Sequence, residues 1–336
     1  MIKEIGSEFW DIPLQDKEND FFDEKTRWFI SGRSAIDHVI KDIQYKKTVK
    51  TALLPSWCCD SMIEPFIRNG INVSFYPVVI ENDKLVKKIS NNADILLNMN
   101  YFGYHVDHDV VFDGIIIDDI TQSIFNAERI DSDYMIGSLR KWAGFINGGF
   151  AYSKYGFSIE KTTEPNSEYV ALRKKAMIEK EKYILGKNTD KEYLTIYRTS
   201  EELLDKKYKY SAGAEDLYNV KYLNIDLIKT RRKRNARKLL EFLSDMAIYK
   251  DVKDDECPLF VPIIVPDNKR NELKNYLIAS NIFCPIHWPV SGFHVLNKQE
   301  KFIYDNELSL ICDQRYDFEE MEKLASTIMC FMRSEC

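Results

Sequence analysis

The chain has 336 residues, 45% hydrophobic and 30% charged, with 47 basic against 53 acidic side chains and a net charge of −6. The length and apolar content suit one large domain plus a smaller one, and a mildly acidic chain carries no global field attracting nucleic acid or an anionic membrane. No apolar run reaches the ~18 residues of a membrane span, and the seven cysteines include no CxxC pair or Cys/His cluster with zinc spacing, which argues against a metal.

The N-terminus lacks the apolar core of a signal peptide, so the expectation is a cytoplasmic protein with reduced thiols. After a polar, aromatic-spotted leader, Gly32 opens a helical pattern with Ala35, Ile36, Val39, Ile40 and Ile43 on one face. Short apolar runs then alternate with helical ones. TALLP (51–55) reads as a buried strand, DSMIEPFIRNG (60–70) as a helix closed by Gly70, and NVSFYPV (72–78) as a strand. ADILLNMN (93–100), GIIIDD (114–119), YMIGS (134–138) and GGFAYS (148–153) are further strands. Continuous apolar strands between helices indicate an α/β fold whose mostly parallel sheet is covered on both faces.

From about Ser167 to Leu243 the pattern is helical and highly charged, including KTRRKRNARK (229–238). Leucines and isoleucines interleave with that basic run, so it reads as a solvated helix face rather than a nucleic-acid patch. The last third brings a strand in LFVPIIV (259–265), a helix over 268–281, a loop with PIHWPVSGFH, and a closing helix over 318–332.

Four segments carry candidate chemistry. Ser31-Gly32-Arg33-Ser34 stands where a loop enters a helix, a place that suits a phosphate but is also an ordinary cap. The run GIII ends in Asp118-Asp119 with Gln122 three residues on, and acids at the carboxyl end of a parallel strand point into the crevice where such folds bind ligands. GSLRKW places Ser138 three residues before Lys141. Gly148-Gly149 opens an apolar strand, a sign of a turn or of close backbone approach.

Taken together and in this order, GRSA, IIIDDITQ, SLRKW and NGGFAYS resemble the cofactor site of fold-type I pyridoxal-phosphate (PLP) enzymes, and most closely the DegT-like sugar-nucleotide aminotransferases. LPSWCCDSMIEPFIRNGINVSFYPV, NMNYFGYHVDHD and the C-terminal VPIIV and PIHWPV fit the same family, so the similarity spans roughly residues 30–335. The resemblance implies a large domain with a mostly parallel seven-stranded sheet covered by helices, plus a smaller C-terminal α/β domain. The N-terminal arm and large PLP-binding domain then occupy residues 1–230, and the small domain, beginning with the linking helix, residues 231–336.

It further implies that Lys141 carries PLP as a Schiff base and moves the substrate proton once freed. Asp119 faces the pyridine nitrogen, while Asp118 satisfies neighbouring backbone donors or a loop. Gln122 bonds the phenolic oxygen, and Ser138 with the backbone of Gly32, Arg33 and Ser34 binds the phosphate. For the partner on the outer face of the ring the candidates are Trp57, Cys59 and Tyr101. The implied function is transfer of an amino group from a donor such as glutamate to a keto group of a nucleotide-linked sugar, by a homodimer with its site at the interface. The alternatives are a PLP-dependent lyase or dehydratase and a non-catalytic or regulatory protein that keeps the fold. Two departures stand out. The SxxK spacing differs from the common family pattern, and KYKYSAGAEDLYN (207–219) occupies the place of the segment that reaches the partner's phosphate, with Tyr210 and Ser211 as substitutes. His287, in PIHWPV, is either a substrate-facing or a packed loop histidine.

Overall fold

The computed structural model describes residues 4–23, 25–82, 84–105, 110–126 and 131–333. The family-like segment NMNYFGYHVDHD therefore falls partly outside them, at residues 106–109, which include His108. The chain forms two compact units, neither continuous in sequence.

The first unit comprises residues 8–49 and 132–224. Its sheet strands are Arg27–Phe29, Gly149–Ser153 and Tyr134–Ser138, with the glycine-led strand antiparallel to both others (Gly149 opposite Phe29 and opposite Ser138). The helix Gly32–Lys46 starts at Ser31, whose side chain accepts the Ser34 N–H. The apolar face expected of it is complete: Ala35, Ile36, Val39, Ile40 and Ile43 are all at most 2% exposed. Burial of each isoleucine or valine there contributes roughly 1.5–3 kcal/mol. The charged stretch after Ser167 becomes two helices, Ser167–Ile184 and Glu192–Lys206. They close a tyrosine-rich core of Tyr183, Tyr193 and Tyr197 around Ala176 and Ile196. The leader is laid along this unit: Gln15 N–H donates to the Tyr222 carbonyl and Gly144 N–H to that of Asp11. Gly144 has to be glycine, because a Cβ there would come within 2.7 Å of the Asp11 carbonyl oxygen.

The second unit comprises residues 4–7, 50–131 and 225–336. Four strands run parallel in the order Asn72–Tyr76, Thr51–Pro55, Ile95–Met99, Ile115–Asp119. All but the first are predominantly apolar, as strands covered on both faces are. The helix Asp60–Arg68 returns the chain between the first two of them and ends at Gly70, whose φ of 75° admits only a residue without a Cβ at little strain. A hairpin of Val78–Glu81 and Lys84–Lys87 follows. The C-terminal part pairs Phe260–Ile264 antiparallel with Glu307–Ile311. Among these elements the hairpin and the strand Glu307–Ile311 had no separate sequence signal; the latter opens on a fully buried glutamate, which breaks the apolar run that marks a strand.

The basic run 229–238 lies on the helix Ile225–Leu243. Arg231 and Arg234 pair with Asp317, Arg237 with Asp254, and Lys238 with Glu241 and Glu322. Arg232 turns inward, 1% exposed, and donates to Gln314 Oε1 and the Leu259 carbonyl. The run is thus ion-paired within its own unit, in line with a helix face. No helix among the described residues is long and apolar enough to cross a membrane, and their six cysteines are free thiols.

Candidate functional site

The sequence candidates divide between the units. In the first unit, Gly32, Arg33 and Ser34 form the opening turn of the helix Gly32–Lys46. A Cβ built on Gly32 would lie 3.7 Å from the Ser138 Cβ, so Ser138, last residue of its strand, stands directly beside the helix start. Gly149 explains the glycine pair. A Cβ there would fall 2.0 Å from the Ser31 carbonyl oxygen and 2.8 Å from the Gly32 nitrogen, so only glycine lets the helix entry pack down on the strand. Leu139–Lys141 form a single 3-10 turn directly after Ser138, and Lys141 is exposed.

Around this cluster several groups already have work. The Ser34 N–H is taken by Ser31 Oγ at 3.3 Å and its hydroxyl by the Tyr208 carbonyl. The Arg33 guanidinium pairs with Asp205 at 2.9 Å. Arg140 and Arg173 bind Glu201 from two sides. Burial raises the Glu201 carboxyl, but the charges of Arg140 and Arg173, then Lys141, outweigh this and hold it below the usual range. Tyr210 and Ser211 serve the backbone: Ile30 N–H donates to the Tyr210 carbonyl, Phe29 bridges to Ser211, and the Ser211 hydroxyl donates to the Thr162 carbonyl.

In the second unit the acidic pair ends the strand Ile115–Asp119, and the two carboxylates, on alternate faces of the strand, meet different partners. Asp119 is 3% exposed, accepts the Thr121 N–H at 2.9 Å, and is pushed up to about 6 by burial, with the Thr121 bonds opposing. Asp118 is not held by backbone donors as the sequence suggested. It accepts the side-chain amides of Asn98, at 2.9 Å, and Asn100. Burial lifts it to about 6 as well, against those amides and the charge of Lys87. Lys87 reaches in from the hairpin to donate to Asn98 Oδ1 at 2.7 Å, and burial draws its amine down to about 8.

Gln122 accepts the Phe102 N–H on Oε1 at 2.9 Å. A backbone donor requires the oxygen there, so the amide NH2 is the end left to donate elsewhere. Trp57 and Tyr101 are stacked on each other, ring centroids 5.0 Å apart and 16° from parallel, and the Tyr101 hydroxyl donates to the Trp57 carbonyl at 2.7 Å. They are 1% and 0% exposed, whereas Cys59 is partly exposed. Gly103 sits at φ 79° with the Cys257 carbonyl oxygen where a Cβ would be, so the Tyr-Phe-Gly loop is fastened to the segment before Phe260–Ile264.

Sequence reasoning missed Lys87, Asn98 and Asn100. The signal for the last two was present: two asparagines two residues apart, Asn98 in an otherwise apolar strand and Asn100 just past its end, tend to face the same way, and register sets Asn98 opposite Asp118. Lys87 had none, since nothing local separates it from Lys84 in the same strand or Lys88 next to it.

Solved structures of similar fold cover nearly the whole chain. PseC of Helicobacter pylori, an aminotransferase involved in the biosynthesis of pseudoaminic acid, matches 98% of this chain and 100% of its own at 12% identity, with a TM-score of 0.64. The sugar aminotransferase CalS13 of Micromonospora echinospora matches 90% of this chain and 86% of its own at 13% identity and a TM-score of 0.60. For a DegT DnrJ EryC1 StrS aminotransferase of Brucella abortus the figures are 91%, 85%, 14% and 0.58. The chain has the fold of these aminotransferases. The expected fold-type I α/β architecture is thereby borne out, with its seven strands found as the four parallel ones of the second unit and the three of the first. No protein-family model and no curated protein matches the chain.

Proposed function

We propose that this chain is a PLP-dependent aminotransferase that passes an amino group from a donor such as glutamate to a keto group of a nucleotide-linked sugar. The observation that carries the proposal is the packing of Gly32 against Ser138 under Gly149, with Lys141 one turn further on. It is a helix start with Ser138 beside it and Lys141 three residues further along the chain, residue types that suit a phosphate and an aldehyde on one small molecule. In this assignment Gly32, Arg33 and Ser34 at the helix start and the Ser138 hydroxyl would hold the phosphate, the Ser34 N–H giving up its 3.3 Å bond to Ser31 Oγ. The Lys141 amine would hold the cofactor covalently and would carry a proton to and from the substrate carbon. Asp119 would pair with the ring nitrogen and keep it protonated. Gln122 donates to the phenolic oxygen from its NH2 end. Cys59, partly exposed, is the accessible candidate against the ring face, whereas Trp57 and Tyr101 are buried and stacked on each other. Bound PLP supplies the electron sink that makes the substrate C–H bond labile.

The same assignment carries a homodimer with the site at its interface, a cytoplasmic location, and a division of the chain near residue 230 into large and small domains. It is tested by incubating the protein with PLP, reducing with borohydride and mapping the label. A phosphopyridoxyl group on the peptide containing Lys141 is the expected result, and a label elsewhere or none overturns the assignment. Glutamate then separates transfer from elimination: conversion of bound PLP to its amine form marks an aminotransferase, and release of ammonia a lyase.

A further inference from the structure

In the second unit a buried carboxyl, a hydroxyl and an imidazole lie in a row. Glu307 and Ser309 are two apart on the strand Glu307–Ile311 and so share a face. The Ser309 hydroxyl donates to Glu307 Oε1. The His287 backbone N–H donates to Glu307 Oε2 at 2.9 Å, and its ring Nδ1 lies 2.8 Å from Ser309 Oγ. Glu307 and Ser309 are 0% exposed and His287 6%. The ring packs 5.5 Å from Phe102 and 5.0 Å from Phe260, and the His287 carbonyl accepts the Trp57 indole N–H.

A hydroxyl has one proton to give. When Glu307 is ionised it can only accept, so Ser309 gives its proton to Oε1 and the contact with the ring has to be made by a proton on Nδ1. When Glu307 is protonated, Oε2 stays committed to the His287 backbone N–H, so the acid proton sits on Oε1 and points at Ser309. The Ser309 proton then turns to Nδ1, and the ring proton is on Nε2. One proton taken up at Nε2 thus moves Nδ1–H to Ser309 and the Ser309 proton to Glu307, leaving a neutral ring of the opposite tautomer.

We propose that Glu307 and Ser309 are positioning residues that set the tautomer of His287, making Nε2 an acceptor when the carboxyl is ionised and a donor when it is protonated. Burial pushes Glu307 up to about 8, so the donor form prevails at neutral pH. Arg270, whose guanidinium donates to the Glu307 carbonyl oxygen at 3.0 Å, and the Cys284 thiol are the titratable groups whose fields reach the carboxyl, with Asp305 beside Arg270 and Lys274 beside Cys284. The proposal is independent of the aminotransferase assignment.

Nitrogen-15 NMR of the histidine-labelled full chain tests it, with His287→Gln assigning the signal. In the wild type the ring proton should sit on Nε2 at pH 6 and on Nδ1 at pH 10. Glu307→Gln should hold it on Nε2 at every pH, because the His287 backbone N–H takes the amide oxygen and leaves the NH2 facing Ser309. Ser309→Ala should abolish the pH-dependent switch with the fold kept by circular dichroism, and it carries the test should the glutamine variant not fold. A wild-type tautomer that is the same at both pH values, or a Glu307→Gln chain with the proton on Nδ1, overturns the proposal.

Discussion

Replacing Glu307 by glutamine should reshape how stability depends on pH. The carboxyl has an ordinary value of 4.5 and is raised by burial to about 8 in the folded chain. Between these values it is protonated when folded and ionised when unfolded. Its contribution is therefore complete below pH 4.5 and is lost as pH rises through 8. Linkage gives a loss of about 2.7 kcal/mol between pH 6 and pH 9 from this one group. Glutamine keeps the shape and both hydrogen bonds but cannot ionise, so its curve lacks that fall. Urea denaturation at pH 6, 7, 8 and 9, followed by tryptophan fluorescence, measures the difference between the two chains. The glutamine variant should gain on the wild type by about 2–3 kcal/mol across that range. Two curves that stay parallel within ~0.5 kcal/mol would refute a buried, protonated Glu307.

Three further outcomes are expected. Gly149→Ala drives a Cβ to 2.0 Å from the Ser31 carbonyl oxygen. It should therefore cost about 1–3 kcal/mol by thermal denaturation and weaken PLP binding, since the helix start has to lift. Lys87→Met removes the ammonium that bonds Asn98 and offsets Asp118; a loss of about 1–3 kcal/mol is expected at pH 7, shrinking at pH 5, where Asp118, already raised to about 6, takes up a proton. Under the proposed function, PLP affinity should drop as pH falls through about 6, where Asp119 protonates. Asp119→Asn should abolish that step and lower turnover by ~10² or more, with the borohydride label on Lys141 retained.

The order of elements was legible in the residues alone. TALLP and YMIGS are the strands Thr51–Pro55 and Tyr134–Ser138 to the residue. The helix after Gly32 buries the five positions its period selected. Such features are local, since a periodicity of two or 3.6 is written in neighbouring side chains. The order of the four cofactor-like segments was equally visible, because each is a short stretch of loop beside a strand or helix. What escaped was every polar group whose partner is remote in sequence. Lys87 meets Asn98, and His287 meets Glu307 and Ser309. The Asp118 partners were visible as residues but not as partners.

Composition and periodicity by themselves determined the α/β class, the strand and helix faces, and the special roles of Gly70 and Gly149, but not those of Gly103 and Gly144. Only the tertiary structure decided which buried charges are shared and which are isolated. It showed Asp118 bound by two amides and Asp119 by Thr121, Trp57 folded against Tyr101, and a glutamate inside a strand. The reason is that burial energy follows a residue's own chemistry and its neighbours in sequence. A buried polar group is tolerated only by the particular donor or acceptor that strand register and loop packing bring to it.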